Sequence, residues 1–180
     1  MSKYYCGEVS FKKFWQIDKT PNNLSLLYIK KIIDYFVTDK NYEYAKFIFL
    51  ENDSQSNFLS YLTCNQYIYT IEKVNKKNSI TDIEIIVQLN KDFISFINNI
   101  DCINWSQLSF LPNKSFSFGM CHYGETLYFA GLTEKDYEFL KNTLIELLNE
   151  ISKDDNSHAH DLFDCNNPYI NFDMIIQRQD

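Results

Sequence analysis

Residues 81–89 read Thr81-Asp82-Ile83-Glu84-Ile85-Ile86-Val87-Gln88-Leu89. Ile83, Ile85, Val87 and Leu89 alternate with Asp82, Glu84, Ile86 and Gln88, the period-two pattern of a strand that buries one face. The run 67–74 precedes it across the short polar stretch Asn75-Lys76-Lys77-Asn78-Ser79, so the two are expected to form a hairpin. A second hairpin is expected from 115–122 to 126–131 through Tyr123-Gly124-Glu125, with Phe116, Phe118, Met120 and His122 on one face. Further strands are expected at 4–11, 44–50 and 171–177.

Helical spacing governs the rest. Thr133-Glu134-Lys135-Asp136 opens a helix in which Tyr137, Leu140, Leu144, Leu147, Leu148 and Ile151 repeat every three or four residues, so one stripe meets a sheet and the opposite face meets water. Thr20-Pro21 reads as the N-cap and first position of a helix over 22–37, with Ile29, Ile32, Ile33 and Phe36 as its apolar stripe. Shorter helices are expected at 55–63 and 91–99, and 154–168 reads as loop. This element order predicts the α+β class: a single domain over 1–180, with a mainly antiparallel sheet carrying two hairpins and packed by helices at about 22–37 and 133–152. A chain of 180 residues suits one well-buried core.

Charge is distributed unevenly along the chain. Residues 1–132 hold thirteen Lys against thirteen acids, whereas residues 133–180 hold three Lys and one Arg against eleven acids, so the formal net charge of −7 lies wholly in that last part. A polyanion needs a basic footprint, and the near absence of Arg removes the bidentate fork that reads phosphate and guanine, so nucleic acid is not expected as a partner. The N-terminus lacks the basic stretch and apolar run of a signal peptide, and no eighteen consecutive apolar residues occur; the expectation is a cytoplasmic protein without a membrane segment. Five scattered Cys (Cys6, Cys64, Cys102, Cys121 and Cys165) form no C-x-x-C pair, so reduced, mostly buried thiols, Cys121 among them, are expected rather than disulfides or a zinc knuckle.

Sites for chemistry are sparse. Phosphate-loop, dinucleotide, serine-hydrolase and zincin motifs are all missing, and no cofactor is expected. His158, His160, Asp161, Asp164 and Cys165 lie close in sequence, and His158 and His160 could share one side of an extended segment and ligate a transition metal; a solvated loop is the plainer reading. Cys121 beside His122 resembles a thiol with its base, but neighbours on a strand point to opposite faces, so that contact would have to come from His158 or His160. Cys121 then reads as an inert thiol, with a small hydrolase using Cys121 or a His158/His160/Asp161 site as the alternative function.

The acids of the last helix divide into two groups. Glu134 and Asp136 complement the positive end of the helix dipole. Glu146 and Glu150 stand four residues apart, a like-charge spacing that destabilises a helix by about 0.2–0.5 kcal/mol, and Asp154 and Asp155 follow where negative charge opposes the dipole. Glu146, Glu150, Asp154, Asp155, Asp161 and Asp164 are therefore the candidate contacts to a basic protein partner, with exposed Tyr or Trp as apolar anchors. In its small size, acidic surface, aromatic richness and missing catalytic motifs the chain resembles the immunity proteins of bacterial contact-dependent inhibition and related toxin systems. The resemblance implies a non-enzymatic antitoxin that blocks a cognate nuclease-type toxin by occlusion. It lies in general character and transfers no site residue.

Overall fold

The computed structural model describes residues 2–18, 23–40, 42–50, 55–77, 80–90, 92–93, 95–96, 103, 105–111, 117–152 and 170–177. In chain order the elements are β1 (Ser2–Ser10), α1 (Lys12–Ile17), α2 (Leu24–Lys40), β2 (Tyr44–Leu50), α3 (Gln55–Cys64), β3 (Tyr69–Lys77), β4 (Ile80–Gln88), β5 (Gln107–Leu111), β6 (Ser117–Cys121), β7 (Thr126–Leu132), α4 (Glu134–Ser152) and β8 (Ile170–Gln177). All eight strands join one sheet in the order β3-β4-β2-β5-β6-β7-β1-β8, and every neighbouring pair is antiparallel. The α+β class with an antiparallel sheet is thus the observed one.

Both expected hairpins form, with altered ends. β3 and β4 stay paired through Lys77↔Ile80, so Asn75, Lys76 and Lys77 belong to the ladder and not to the linker. A register shift between Ile71 and Lys73 marks a bulge on this edge strand, the kind of irregularity that twists an edge away from further pairing. In the second hairpin β6 ends at Cys121. His122 (φ 53°), Tyr123 (φ 56°) and Gly124 (φ 79°) are all left-handed. This sharp turn puts His122 in the exposed connection, so it does not share the buried face of Phe118 and Met120.

The expected start of α2 also moves. Its first residue is Leu24, and Asn23, left-handed at φ 46°, caps it: the Asn23 side-chain oxygen accepts from Leu26 N (3.1 Å) and the Asp18 carboxylate accepts from Ser25 N (2.6 Å). These contacts satisfy orphan amides of the first turn. Thr20 and Pro21 lie outside the described residues. Of the helix expected at 91–99, Phe93, Ser95 and Phe96 are helical.

One face of the sheet carries the core. Ala45, Phe47 and Phe49 of β2, Ile85 and Val87 of β4, Leu108 and Phe110 of β5, Phe118 and Met120 of β6, and Leu127 and Phe129 of β7 are all buried. Each of these side chains larger than Ala45 stabilises the fold by about 1.5–3 kcal/mol through burial. Rings of adjacent strands stack: Phe110 on Phe118 and Phe118 on Phe129, both at 5.1 Å between centroids. α2 lays Phe36 across Phe118 and Phe129, and α3 sets Phe58 against Phe47 and Phe49. α4 packs beside α2, with Phe139 stacked on Tyr35 at 3.7 Å. The opposite face shows the other half of the alternation, including Tyr44, Lys46, Ile48, Glu84, Ser109 and Tyr128, all exposed or half-buried. No helix among the described residues is long and apolar enough to cross a membrane.

Candidate functional site

The site begins with the sequence of α4. Its N-terminus is held by a reciprocal cap: Asp136 N donates to Thr133 Oγ1 (3.3 Å), and Thr133 N donates to Asp136 Oδ2 (3.1 Å). Such a pair satisfies two amides that the helix itself leaves unpaired. Asp136 does more than complement the dipole. Only 1% exposed, it also takes a hydrogen bond on Oδ2 from Lys40 Nζ (2.8 Å) and one on Oδ1 from Tyr35 OH (3.3 Å), both from α2. Burial opposes the Lys40 charge, but the hydrogen bonds to Asp136 and Asp39 outweigh it and raise the Lys40 pKa above its ordinary value. Glu134 accepts from Tyr5 OH at 2.6 Å, and that hydrogen bond, more than burial, pushes the Tyr5 phenol up to about 12.

The C-terminal acids have partners that sequence spacing did not supply. Glu146 Oε2 accepts from Lys31 Nζ at 2.6 Å, and Glu150 Oε1 accepts from Tyr28 OH at 2.9 Å. Both donors come from α2, so the repulsion expected between Glu146 and Glu150 is offset across the helix pair; the inference that these acids lack a reason within the fold is corrected. Burial, followed by the Glu150 contact, pushes the Tyr28 phenol up to about 12. Lys31 Nζ also sits 5.3 Å from the centre of the Tyr28 ring, a cation over an aromatic face.

The Lys31–Glu146 pair remains at the surface, with side chains 49% and 54% exposed. Pairs of that kind contribute about 0–1 kcal/mol, so either member is readily exchanged for an outside partner. Beside them a groove of about 410 Å³ runs between α2 and α4, lined by Leu27, Tyr28, Lys30, Lys31, Asp34 and Glu150. Leu27 is 54% exposed there. Of the expected contact residues, Glu150 lines this groove, and Glu146 reaches it only through its pair with Lys31. Asp154, Asp155, Asp161, Asp164, His158 and His160 lie outside the described residues. Sequence reasoning missed Leu27, Tyr28, Lys31 and Asp34; their signal was the second helical stripe, Leu27, Lys31 and Asp34 at i, i+4 and i+7, which acquires meaning only once α2 and α4 are known to be neighbours.

Cys121 is half-buried on the open face of the sheet, and with Cys6 half-buried and Cys64 exposed the expectation of mostly buried thiols is corrected for the described residues. Burial first, and the Glu8 charge next, push its thiol pKa up, while a hydrogen bond with Thr126 acts the other way. A thiolate nucleophile needs the opposite shift. His122, in the exposed turn, does not reach it as a base from within the strand. Among the described residues there is no group of three or more His, Cys, Asp and Glu side chains placed to hold a metal ion. Neither Trp is an exposed anchor: Trp105 is buried and donates its Nε1–H to Met120 Sδ (3.4 Å), and Trp15 is partly buried against the core. Tyr44 and Tyr123 are the exposed aromatic residues among those described.

The same open face contains a close crossing of side chain and backbone. Tyr128 on β7 lies over Gly119 on β6, and its hydroxyl reaches Ser109 Oγ on β5 at 2.7 Å. Any side chain at residue 119 would occupy the space of the Tyr128 ring and approach the Leu108 carbonyl oxygen to 2.5 Å. Glycine is therefore required there by space alone.

Compared with known proteins, the chain matches no family model, no curated protein and no solved structure.

Proposed function

We propose that this chain is a non-enzymatic binding protein that neutralises a basic protein partner, and that the partner is a nuclease-type toxin blocked by occlusion in the manner of an immunity protein or antitoxin. The observation that carries this reading is the position of Glu146 and Glu150. Glu146 is exposed and Glu150 half-buried on the helix that opens the acid-rich last quarter of the chain, and the Lys31–Glu146 pair is one that a partner's cations could replace at little expense. Acidic charge concentrated in one part of the chain steers a basic partner and speeds its association, and salt weakens that attraction. The alternative, a small hydrolase using Cys121 or His158, His160 and Asp161, has less support at Cys121, where burial pushes the thiol pKa up, opposite to the shift a thiolate nucleophile needs.

The test is protection of cells. Co-expression with the product of an adjacent gene for a secreted protein with a toxic C-terminal domain should restore growth. The combined Glu146→Lys and Glu150→Lys variant should lose protection while keeping its melting temperature within a few degrees. Protection that survives both charge reversals would overturn the role of these acids, and an absence of protection by the wild-type chain would overturn the antitoxin reading itself.

A further inference from the structure

At one end of the strand order the sheet stops at β3, and the main chain of that strand is left with unused hydrogen-bonding groups. Gln88 N–H donates to the Ile68 carbonyl oxygen at 2.8 Å, and the register runs on through Tyr69↔Val87, Thr70↔Ile86 and Ile71↔Ile85. Bonded and unbonded pairs alternate in an antiparallel ladder, so Ile68 and Thr70 turn their main-chain groups to β4 while Tyr69 and Ile71 turn theirs outwards. Neither Tyr69 nor Ile71 has a main-chain hydrogen-bond partner among the described residues. Their side chains lie on the helix-covered face, level with buried Val87 and Ile85, yet Ile71 is 53% exposed because no strand follows it. Sheet edges are ordinarily guarded by charge, proline or a bulge. On β3 such guards begin only after Ile71, with Glu72, the bulge between Ile71 and Lys73, and then Lys73, Lys76 and Lys77. The stretch Ile68-Tyr69-Thr70-Ile71 has none.

We infer that this stretch pairs with the same stretch of a second copy of the chain, antiparallel about a two-fold axis at Thr70. Outward-facing main chain in strand geometry is complemented by another extended main chain, and the order of residues on β3 selects the second copy. With Thr70 facing Thr70, Tyr69 of one copy meets Ile71 of the other on each side of the axis, and each such pair exchanges both of its N–H···O bonds. Every outward group of Tyr69 and Ile71 is then satisfied. The exposed flank of Ile71 comes to lie beside an aromatic ring, a favourable cross-strand pair, and Thr beside Thr at the axis is another. The helix layers of the two copies fall on the same side of the joined sheets, so the apolar layer continues across the seam. An isologous contact of this kind closes on itself and leaves no β3 edge for a third chain. The net charge of −7 opposes self-association. The register keeps charge away from the axis, because Glu72, Lys73, Lys76 and Lys77 of the two copies run off in opposite directions. β1 and β7, which α4 covers, lie towards the other end of the strand order, so this seam stands apart from the acids of α4.

The test is sedimentation velocity of the full chain over micromolar to submillimolar concentrations. The expected result is a monomer–dimer equilibrium with a dissociation constant on the order of 10–100 μM, in keeping with an interface one strand wide. Ile71→Pro should weaken the dimer by about tenfold or more, because it deletes an outward donor in each copy. Proline is tolerated where the N–H of an edge strand faces away from the ladder, so the hairpin with β4 should persist. Ile71→Lys sets a charge against Tyr69 of the other copy and should weaken the dimer similarly, without asking the backbone to accept a proline. Leu27→Ser, at an exposed apolar residue on α2, should change nothing. In a Cys64→Ser background, Thr70→Cys should form a disulfide joining position 70 of the two copies, identified by peptide mass, since facing Cα atoms of an unbonded pair lie about 4.5 Å apart. A chain that stays monomeric throughout would overturn the pairing and leave the edge to a strand of another protein. A dimer that survives both Ile71→Pro and Ile71→Lys, or that yields no cross-link with Thr70→Cys, would overturn it as well, by placing the contact elsewhere on the molecule.

Discussion

Asp136 and Glu146 sit on one helix and each meets a lysine of α2, yet their energetic weight differs. Asp136 is buried and its partner Lys40 is only 15% exposed, so removing the carboxylate takes the buried one of two acids from a largely desolvated ammonium, leaving Asp39 at 3.1 Å, and opens the helix cap. Asp136→Ala is expected to lower unfolding free energy by about 3 kcal/mol, whereas Lys31→Ala at the half-exposed pair should change it by less than about 1 kcal/mol; urea denaturation of both variants checks the contrast. Gly119→Ala is expected to destabilise by about 1–3 kcal/mol through overpacking. Adding Tyr128→Phe should not restore stability, because the Leu108 carbonyl still obstructs the new methyl group. The sequence around Asp136 made it legible as a helix-start acid and nothing more. Lys40 lies 96 residues away along the chain, and no local pattern joins them. Glu146 and Glu150 were legible as candidates for the same local reason, while Tyr28 and Lys31 were not.

At the scale of the element, α4 and β4 were readable because each repeats a single period for long enough to exceed chance: the Leu140, Leu144, Leu147, Leu148 and Ile151 stripe is buried throughout, as are Ile85 and Val87. Shorter pieces escaped. α1 has six residues, too few for a helical stripe to declare itself, and β5 has five, with its alternation confined to Leu108 and Phe110 between polar neighbours. The start of α2 was misplaced because Thr20-Pro21 carries the common cap chemistry, whereas the actual start relies on Asp18 reaching forward seven residues to Ser25. The start of α4 was legible in Thr133-Glu134-Lys135-Asp136, and the structure adds that Thr133 caps it. Thr133→Ala is expected to cost about 1 kcal/mol, visible as a lower melting temperature with little change in far-ultraviolet circular dichroism.

For the whole molecule, strand order was the part that local pattern left open. β1 lies between β7 and β8, and β2 between β4 and β5, pairings decided by packing between distant segments. The fold also sets a limit on the alkaline side. Tyr5, Tyr28, Tyr35, Tyr42 and Tyr67 all have pKa values raised by burial or by neighbouring acids, and Lys40 is raised as well. A group whose pKa is higher in the folded than in the unfolded chain contributes its full stabilisation below the unfolded value and loses it as pH climbs through the folded one. The urea midpoint should therefore fall as pH rises from about 10 towards 12, and tyrosinate absorbance should appear together with unfolding. Tyrosines that ionise freely well before the midpoint moves would contradict this.

The position of β1 bears on how the molecule is made. Both strands that flank it, β7 and β8, come from the last third of the described chain. As the polypeptide leaves the ribosome, β1 precedes both strands that flank it by more than a hundred residues. Its Tyr4, Tyr5, Cys6 and Val9 are exposed to other nascent chains for that whole interval. A strand made well before its neighbours is thus among the last of the described strands to be enclosed, and slowing translation beyond β6 should lengthen the period in which a chaperone is needed.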